Sequence, residues 1–477
     1  MAADDFSAPL EDFALDPERF RALGYRFVDL MAGVLAREAE DPVLPPVSGA
    51  ELRALLDEPL PAEGAAPGEI LATLGERILP HGRRNGHPRF FGYVCASADP
   101  LGALADGLAS LWNQNVTAWR SAPAATELER LVLRWLDELV GFGGGGQGLL
   151  VSGGSAANHT ALASALAGRP RDRVAVYRST EGHLSLAKAC RVLGVPEDQV
   201  RTVGTDARRR LVPGELERRI RADRDAGLEP ACACASAGTA NTGAIDPLEE
   251  IAEVCAEHGL WLHVDGAYGA PAAATEEYGW MRAGFARADS LSLDPHKWLY
   301  APLDAGCVLL RDGEAARRAF ALASEYTAVE QTEPIESFAF FDHGLELSRR
   351  ARALKVWILL KARGARRLAR AIAANVALRR HLDARVEADG RLEPLGSELS
   401  ISCFRYAPPE LPEERRDTLN RGILAELVRS GRFLLSPTTL DGTYALRVCI
   451  VNFRTTREDV DLLVDEVLRL GDRALSG

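Results

Sequence analysis

The chain has 477 residues, of which 47% are hydrophobic and 26% charged. This composition is ordinary for a soluble globular protein of two or three domains, and it excludes a disordered chain. The 56 basic and 68 acidic residues give a net charge of −12. Such acidity argues against general nucleic-acid binding, which needs a basic surface.

The sequence also indicates a compartment. It has no long apolar run that could cross a membrane, and its acidic beginning, MAADDFSAPLEDF, lacks the basic and apolar regions of a signal peptide. The eight cysteines form no CxxC pair, which suits a reducing environment. We therefore expect a cytoplasmic protein with no membrane partner, no nucleic-acid partner and no metal.

The order of the predicted elements suggests three segments. The first 80 or so residues read as helices joined by Pro-rich links, and from about 100 to 315 helical and strand-like stretches alternate. Alternation of this kind predicts an α/β domain with a mostly parallel sheet covered by helices. A long helical stretch and a mixed pattern follow. We predict an N-terminal helical extension at 1–85, a large domain at 86–345 and a small α+β domain at 346–477.

Six short apolar runs are predicted to be strands of the large sheet, at 149–152, 174–177, 231–235, 261–264, 290–293 and 307–310. Two helix starts are also predicted. Thr126 and Glu129 match a capping box, and Asp246 matches an N-cap in front of Pro247.

Polar residues follow three of these runs at the points where the strands end. The run LWLHVD ends in Asp265, and SLSLD continues through Asp294 and His296 to Lys297. A third run passes through Gly154 and Ser155 into a helix. Taken alone, each has an ordinary explanation, namely a turn-capping Asp, a solvated Lys and a tight turn. Ligands of open α/β sheets, however, bind beyond the carboxyl ends of the strands, and a helix N-terminus with glycines binds phosphate well.

Lysine is rare in this chain, which makes Lys297 more informative. The other lysines are Lys188, Lys355 and Lys361, all in predicted helices, so 56 − 4 = 52 basic residues are arginines. Pyridoxal phosphate (PLP) needs an anion cradle for its phosphate, an acid for its ring nitrogen and a lysine for a Schiff base with its aldehyde. The three strand ends supply all of these.

At this point the sequence resembles the group II PLP-dependent amino-acid decarboxylases, which include the aromatic-L-amino-acid and glutamate decarboxylases. The resemblance covers roughly residues 15–465. The matching segments, in family order, are HPRFFGYV from His87, APAATELE from Ala122, SGGSAAN from Ser152, GHLSLAKA from Gly182, AGTANTGAIDP from Ala237, WLHVDGAYG from Trp261 and DPHKW from Asp294.

The resemblance implies fold type I, the aspartate-aminotransferase-like fold, and a homodimer with active sites at the subunit interface. It implies that Lys297 is the lysine bonded to the cofactor and that Asp265 pairs with the pyridine nitrogen. The remaining roles that it implies are as follows: Ala267 lies under the ring, His183 stacks over it, and Gly154, Ser155, Asp294 and His296 hold the phosphate and its surroundings.

The resemblance also reaches the substrate pocket. Tyr326 matches a tyrosine on the family's mobile loop, and Tyr93 and Trp119 match positions of aromatic decarboxylases. Several positions depart from the family pattern: Ala240 replaces a hydroxyl residue, and smaller or more polar groups than usual stand at Val94, Asn115, Thr117 and Leu303. An aromatic L-amino acid is therefore favoured as the substrate, and a polar or aliphatic one stays open.

We predict decarboxylation of an L-amino acid to its amine and CO₂, with the proton at Cα supplied by Tyr326 or His183. Three alternatives are weighed against it. An aminotransferase would use an arginine clamp on the carboxylate, for which Arg447 and Arg454 could be nominated, although a structural role is the better explanation for both. An aldehyde-forming oxidative decarboxylase often lacks the loop tyrosine. A non-catalytic protein would not need the combination of Lys297, Asp265 and His183.

Overall fold

The computed structural model describes residues 15–322 and 335–476. The α-helices α1–α15 of these residues are Pro17–Ala36, Gly49–Leu56, Pro67–Thr73, Pro100–Trp112, Pro123–Val140, Gly154–Ala165, Leu184–Val192, Pro213–Asp225, Leu248–His258, Met281–Phe285, Gly313–Phe320, Ala353–Arg363, Ala365–Ala388, Glu413–Arg429 and Arg457–Ser476. The strands β1–β11 are Gly148–Val151, Val174–Ser179, Val200–Val203, Glu229–Ser236, Trp261–Asp265, Ser290–Leu293, Gly306–Leu310, Leu392–Glu398, Ile401–Tyr406, Ser436–Leu440 and Thr443–Cys449.

The larger sheet has seven strands in the order β1-β7-β6-β5-β4-β2-β3. The pairs from β6 to β3 are parallel, whereas β7 runs antiparallel to both of its neighbours. The predicted mostly parallel sheet is confirmed. The sequence did not predict β3, because this edge strand is mostly half-buried and its pattern VRTV is not apolar.

Both predicted helix starts are wrong, for the same physical reason. Helix α5 begins at Pro123, and the side chain of Glu129 is fully buried, where it accepts a hydrogen bond from Leu150 N at 2.9 Å. Asp246 lies two residues before α9, and its carboxylate accepts hydrogen bonds from Leu211 N and Ser236 N, both at 2.7 Å. Each carboxylate accepts hydrogen bonds from the backbone of another segment of the chain and does not cap its helix.

The second sheet is fully antiparallel, in the order β10-β11-β9-β8. Helices α13, α14 and α15 pack on it and on one another around a separate apolar core. Helix α13 is shared by the two cores, since Leu368 and Ile372 belong to the core of the large sheet and Leu382 and Val386 to that of the small one. The exact division at 85 and 345 stays a prediction.

Two helices carry large apolar side chains that the single chain leaves exposed. Helix α1 has no buried residue, and its exposed residues include Phe20, Tyr25 and Phe27. Helix α4 exposes a stripe at helical spacing: Leu101, Leu104, Leu108 and Leu111. Among the described residues, no helix has both the length and the apolar character needed to cross a membrane.

Candidate active site

The ends of β1, β5 and β6 open into one cavity of about 1020 Å³. Its wall contains most of the predicted site residues: Gly154, Ser155, His183, Asp265, Ala267, Asp294, His296 and Lys297. The three strand ends that the sequence singled out therefore meet in space.

The turn from β1 into α6 forms one side of this cavity. Gly153 is the N-cap of α6 and no side chain caps the helix, so N–H groups of its first turn stay available to a ligand. The backbone here must pass very close to its neighbours. A Cβ atom on Gly154 would lie 2.8 Å from the Cβ of Ala267, and one on Gly306 would lie 2.4 Å from the Cα of Gly153. These glycines let the turn from β1 into α6 pack directly against the neighbouring segments of the cavity wall.

Asp265 ends β5 and is only 8% exposed. Its Oδ2 accepts a hydrogen bond from Asn158 Nδ2 at 2.8 Å, and its Oδ1 accepts one from Ser292 Oγ at 3.2 Å. Burial raises the pKa of this carboxyl group, but the positive charge of Lys297 and the hydrogen bond from Asn158 outweigh burial, so the net pKa lies below the usual value. The cavity therefore contains a carboxylate that stays ionised at neutral pH.

Lys297 reaches the same space from the segment that follows β6. Its Nζ lies 2.9 Å from Asp294 Oδ2, and the side chain is 24% exposed, towards the cavity. Burial lowers the pKa of Lys297, but the attraction of Asp294 and Asp265 outweighs burial and raises the net pKa. Without a ligand the amine is therefore a cation that is paired with Asp294 and also attracted by Asp265.

Asp294 and His296 lie beside the lysine. The backbone N–H of Ala305 donates to His296 Nδ1 at 3.0 Å, so the ring proton of the neutral imidazole is on Nε2, 3.5 Å from Asp294 Oδ2. Burial lowers the pKa of His296 and favours this neutral form. Asp294 Oδ1 is buried and accepts no hydrogen bond from any described residue, so it can still accept one from a ligand.

His183 lies at the start of α7 and caps that helix with its own ring. Its Nδ1 accepts from the backbone N–H of Ser185 at 3.3 Å and lies 2.7 Å from Ser185 Oγ. His183 also lines the cavity. His183 thus both caps helix α7 and contributes to the cavity wall.

Of the two predicted substrate residues, only Tyr93 lines the cavity. Its backbone is left-handed, with φ of 57°, and such strain concentrates at functional sites. Ser436 Oγ accepts from Tyr93 N at 2.7 Å, and Arg447 Nη1 donates to Tyr93 O at 3.1 Å. Arg447, considered above as a carboxylate clamp, is itself in the cavity wall.

Trp119 lies outside the wall that the single chain forms. Its backbone N donates to Phe338 O at 2.9 Å. Val94 lines the cavity, whereas Leu303, which is 65% exposed, lines an adjacent space that shares Lys297. Tyr326 lies outside the described residues, and its role stays a prediction.

The sequence did not single out the residues that surround Asp265, although they lie within the quoted motifs. His263 is fully buried and precedes Asp265 by two positions, so both side chains leave β5 on the same face. Asn158 on α6 binds both of them. The signal was available in the two-residue spacing of HVD.

Comparison with known proteins decides the family. The model of the pyridoxal-dependent decarboxylase conserved domain matches residues 50–407. The chain belongs to this family. An aromatic-L-amino-acid decarboxylase of Bacillus atrophaeus is 36% identical over 97% of both chains. A phenylacetaldehyde synthase of Petunia hybrida is 30% identical over 91% of both chains. The solved structure of Catharanthus roseus tryptophan decarboxylase in complex with L-tryptophan matches with a TM-score of 0.88 at 28% identity, over 96% of this chain and 99% of that one.

This pyridoxal-dependent decarboxylase therefore has fold type I and is a PLP-dependent carboxy-lyase acting on an amino acid. The described residues fit the cofactor chemically. An uncapped helix N-terminus suits a phosphate, an ionised carboxylate suits a protonated pyridine nitrogen, and Lys297 is the only lysine in the cavity wall.

Proposed function

We propose that this decarboxylase acts on an aromatic L-amino acid, releasing the amine and CO₂, with Lys297 and Asp265 as its central residues. The observation that carries the proposal is the meeting of an ionised carboxylate, the single cavity lysine and an uncapped helix end in one space. When bound, PLP supplies a covalent link to the substrate amine and accepts the electrons of the bond from Cα to the carboxylate.

The residues around the cofactor would divide the work as follows. The carboxylate of Asp265 would hold the proton on the pyridine nitrogen through a charge-assisted hydrogen bond. Backbone N–H groups at Gly154 and Ser155 would hold the phosphate, with Asp294 and His296 beside it. Ala267, which is 6% exposed, is small enough to leave a flat space for the ring.

The remaining roles concern the substrate. Lys297 would bind the aldehyde until the substrate amine displaces it. His183 would lie over the opposite face of the ring, and His183 or Tyr326 would return a proton to Cα. Tyr93, which lines the cavity, would contact an aromatic side chain, and Trp119 could do so only from a partner subunit or after a rearrangement.

The substrate is tested with a panel of the twenty L-amino acids together with L-DOPA, diaminobutyrate and ornithine, measuring CO₂ and amine. We expect turnover of tyrosine, tryptophan, phenylalanine or L-DOPA. Turnover confined to a polar or aliphatic amino acid would contradict the aromatic assignment and leave the decarboxylase intact.

Aldehyde formation is the second candidate, because one of the relatives above is named a phenylacetaldehyde synthase. The same panel separates the two activities when aldehyde, ammonia and peroxide are measured beside the amine. We expect amine to predominate, since Tyr326 occupies the position that the loop tyrosine holds in the amine-forming group.

We also propose that the enzyme is a homodimer whose N-terminal extension packs on the partner. Helix α1 buries none of its residues in the single chain, and the exposed leucine stripe of α4 has the 3- and 4-residue spacing of a buried helix face. The combined variant Leu104→Glu and Leu108→Glu should be monomeric in light scattering and inactive. Val192→Glu is the matched control, because Val192 is also exposed, at 74%. A protein truncated near Gly82 that stayed dimeric and active would contradict the proposal.

The cytoplasm is the proposed compartment. All eight cysteines are unpaired in the structure, as a reducing compartment allows. Alkylation of freshly lysed cells in denaturant should label all eight thiols of the protein. Protection of cysteines as disulfides would contradict the assignment.

A further inference from the structure

A chain of hydrogen bonds runs from the buried side of β5 through α6 to the start of α7. Trp261 Nε1 donates to Ser290 Oγ at 2.8 Å, and Ser290 Oγ lies 2.9 Å from His263 Nδ1. His263 Nε2 lies 3.0 Å from Asn158 Oδ1. The chain continues from Asn158 Nδ2 to Ser185 Oγ at 2.9 Å and from there to His183 Nδ1 at 2.7 Å.

The donors and acceptors in this chain are assigned by starting from Asp265, which binds Asn158 in the middle of the chain. The carboxylate of Asp265 only accepts, so Asn158 must face it with its amide nitrogen, and that nitrogen gives its second hydrogen to Ser185 Oγ. The carbonyl oxygen of Asn158 then faces His263 Nε2, which must donate. Burial lowers the pKa of His263 to about 4, so its ring is neutral and Nδ1 is left to accept from Ser290.

The same reasoning fixes the ring of His183. Two groups of Ser185 face its Nδ1: the hydroxyl, which accepts from Asn158 and is free to donate its own hydrogen, and the backbone N–H, which can only donate. A hydrogen on Nδ1 would oppose the hydrogen of the backbone N–H and leave that donor without an acceptor. Neutral His183 must therefore carry its hydrogen on Nε2, which makes no hydrogen bond to any described residue and belongs to the ring that lines the cavity.

We infer that Asn158 and Ser185 are positioning residues that use the negative charge of Asp265 to lock His183 as the Nε2–H tautomer, so that it offers a hydrogen and not a bare nitrogen to the substrate. One carboxylate would thereby act both on the nitrogen of the bound ring and, through His183, on one of its faces. As a donor, His183 can bind the substrate carboxylate or return a proton at Cα. This catalytic consequence rests on the proposed function, whereas the tautomer itself does not.

The tautomer is tested in the cofactor-free protein labelled with ¹⁵N-histidine. Long-range ¹H–¹⁵N correlation is recorded about two pH units above the ordinary imidazole pKa of about 6.5, where free imidazole is neutral. His183→Gln identifies the signals of His183. We expect one protonated and one bare nitrogen in the wild type, with the hydrogen on Nε2. A hydrogen on Nδ1, or two averaged nitrogens, would overturn the inference.

Variants test the lock. Ser185→Ala should bring the two ¹⁵N shifts of His183 closer together, because only the weaker backbone donor remains, and Ser185→Thr should restore them. Asp265→Asn should have the same effect as Ser185→Ala, because the amide of Asn158 is no longer oriented. The matched control is Ser292→Ala, which removes a hydroxyl from the other oxygen of Asp265 and should leave the His183 shifts unchanged. Unchanged shifts in Ser185→Ala would refute the lock.

In the PLP-loaded enzyme, Ser185→Ala should lower kcat by about tenfold or more while KM changes little, and Ser185→Thr should recover most of the loss. If a variant has altered shifts and an unchanged kcat, the tautomer of His183 does not affect catalysis, and the catalytic part of the inference is wrong. If the wild-type protein shows the expected His183 shifts but releases no CO₂, the result counts against the proposed function and not against the tautomer.

Discussion

Asp294 Oδ2 lies 2.9 Å from Lys297 Nζ, so the lysine proposed to bind the cofactor is held by a carboxylate three residues before it. Burial by itself would make this amine easier to deprotonate, but the two nearby carboxylates reverse the effect. The ion pair keeps the lysine in place in the free protein, and it must be broken before the amine can react.

The first prediction concerns the pH dependence of cofactor capture. Only the neutral amine attacks an aldehyde, and the pKa of Lys297 is raised, so the neutral fraction and the capture rate should rise about tenfold per pH unit between pH 7 and 9. Asp294→Asn removes the main cause of the rise and should give faster capture at pH 7. Stopped-flow absorbance measures the capture rate of the cofactor-free wild type and of Asp294→Asn. Identical dependence of the rate on pH in the two proteins would show that Asp294 does not raise the pKa of Lys297.

Borohydride reduction tests which lysine reacts. Peptide mapping should place the pyridoxyl group on Lys297. Lys355 serves as an internal control, because it is fully buried and its Nζ lies 3.0 Å from Asp106 Oδ2, away from the cavity wall. A label on Lys355 would refute the assignment of Lys297.

Asp265→Asn should leave the fold intact and reduce decarboxylation by about a hundredfold or more, because an amide cannot stabilise the positive charge on the pyridine nitrogen as a carboxylate does. Circular dichroism checks the fold, and CO₂ release checks the activity. Near-normal turnover would show that the ring nitrogen has no need of this charge.

A stability prediction concerns the ion pair of Glu129 and Arg349, which are 0% and 1% exposed and joined at 2.5 Å. Arg349→Met should cost about 3–5 kcal/mol of unfolding free energy, because the carboxylate is left buried without its counter-charge. Glu127→Gln, which breaks the exposed pair with Arg130, should cost less than about 1 kcal/mol. Denaturant midpoints measure both, and equal losses would mean that burial does not matter here.

Tyr326→Phe should keep CO₂ release but divert product from amine to aldehyde and ammonia, with dissolved O₂ as the oxidant, which is reduced to hydrogen peroxide. The variant loses only a hydroxyl, so a tyrosine that merely packs would tolerate it. Wild-type amine yield would mean that Tyr326 is not the proton donor and would leave His183 as the group to test.

The sequence predicted what depends on neighbouring positions along the chain. Buried apolar runs gave six of the strands, and the polar residues directly after them gave the cavity, because parallel strands end at the same edge of a sheet. The exact partners of buried polar groups were not predictable. Arg349 meets Glu129 across 220 positions, and this long-range contact, not the local capping pattern, decides where the carboxylate lies.

The hydrogen-bond chain behind Asp265 shows the same limit. The spacing of His263 and Asp265 places both on one face of β5, but nothing in the sequence says that Asn158 will bridge them. The roles of single side chains depend on where separate elements dock, and a pattern along one element does not contain that information.

The strand order β1-β7-β6-β5 also fixes the distances between the segments that form the cavity. Neighbouring strands lie about 4.8 Å apart, so the phosphate-side turn after β1, the lysine segment after β6 and the carboxylate of β5 are set out along the sheet edge at steps fixed by backbone hydrogen bonds. Replacing side chains in the core alters packing but leaves these steps almost unchanged. Substitutions in the cavity wall can therefore change the substrate, while the spacing of the segments that would hold the cofactor stays the same.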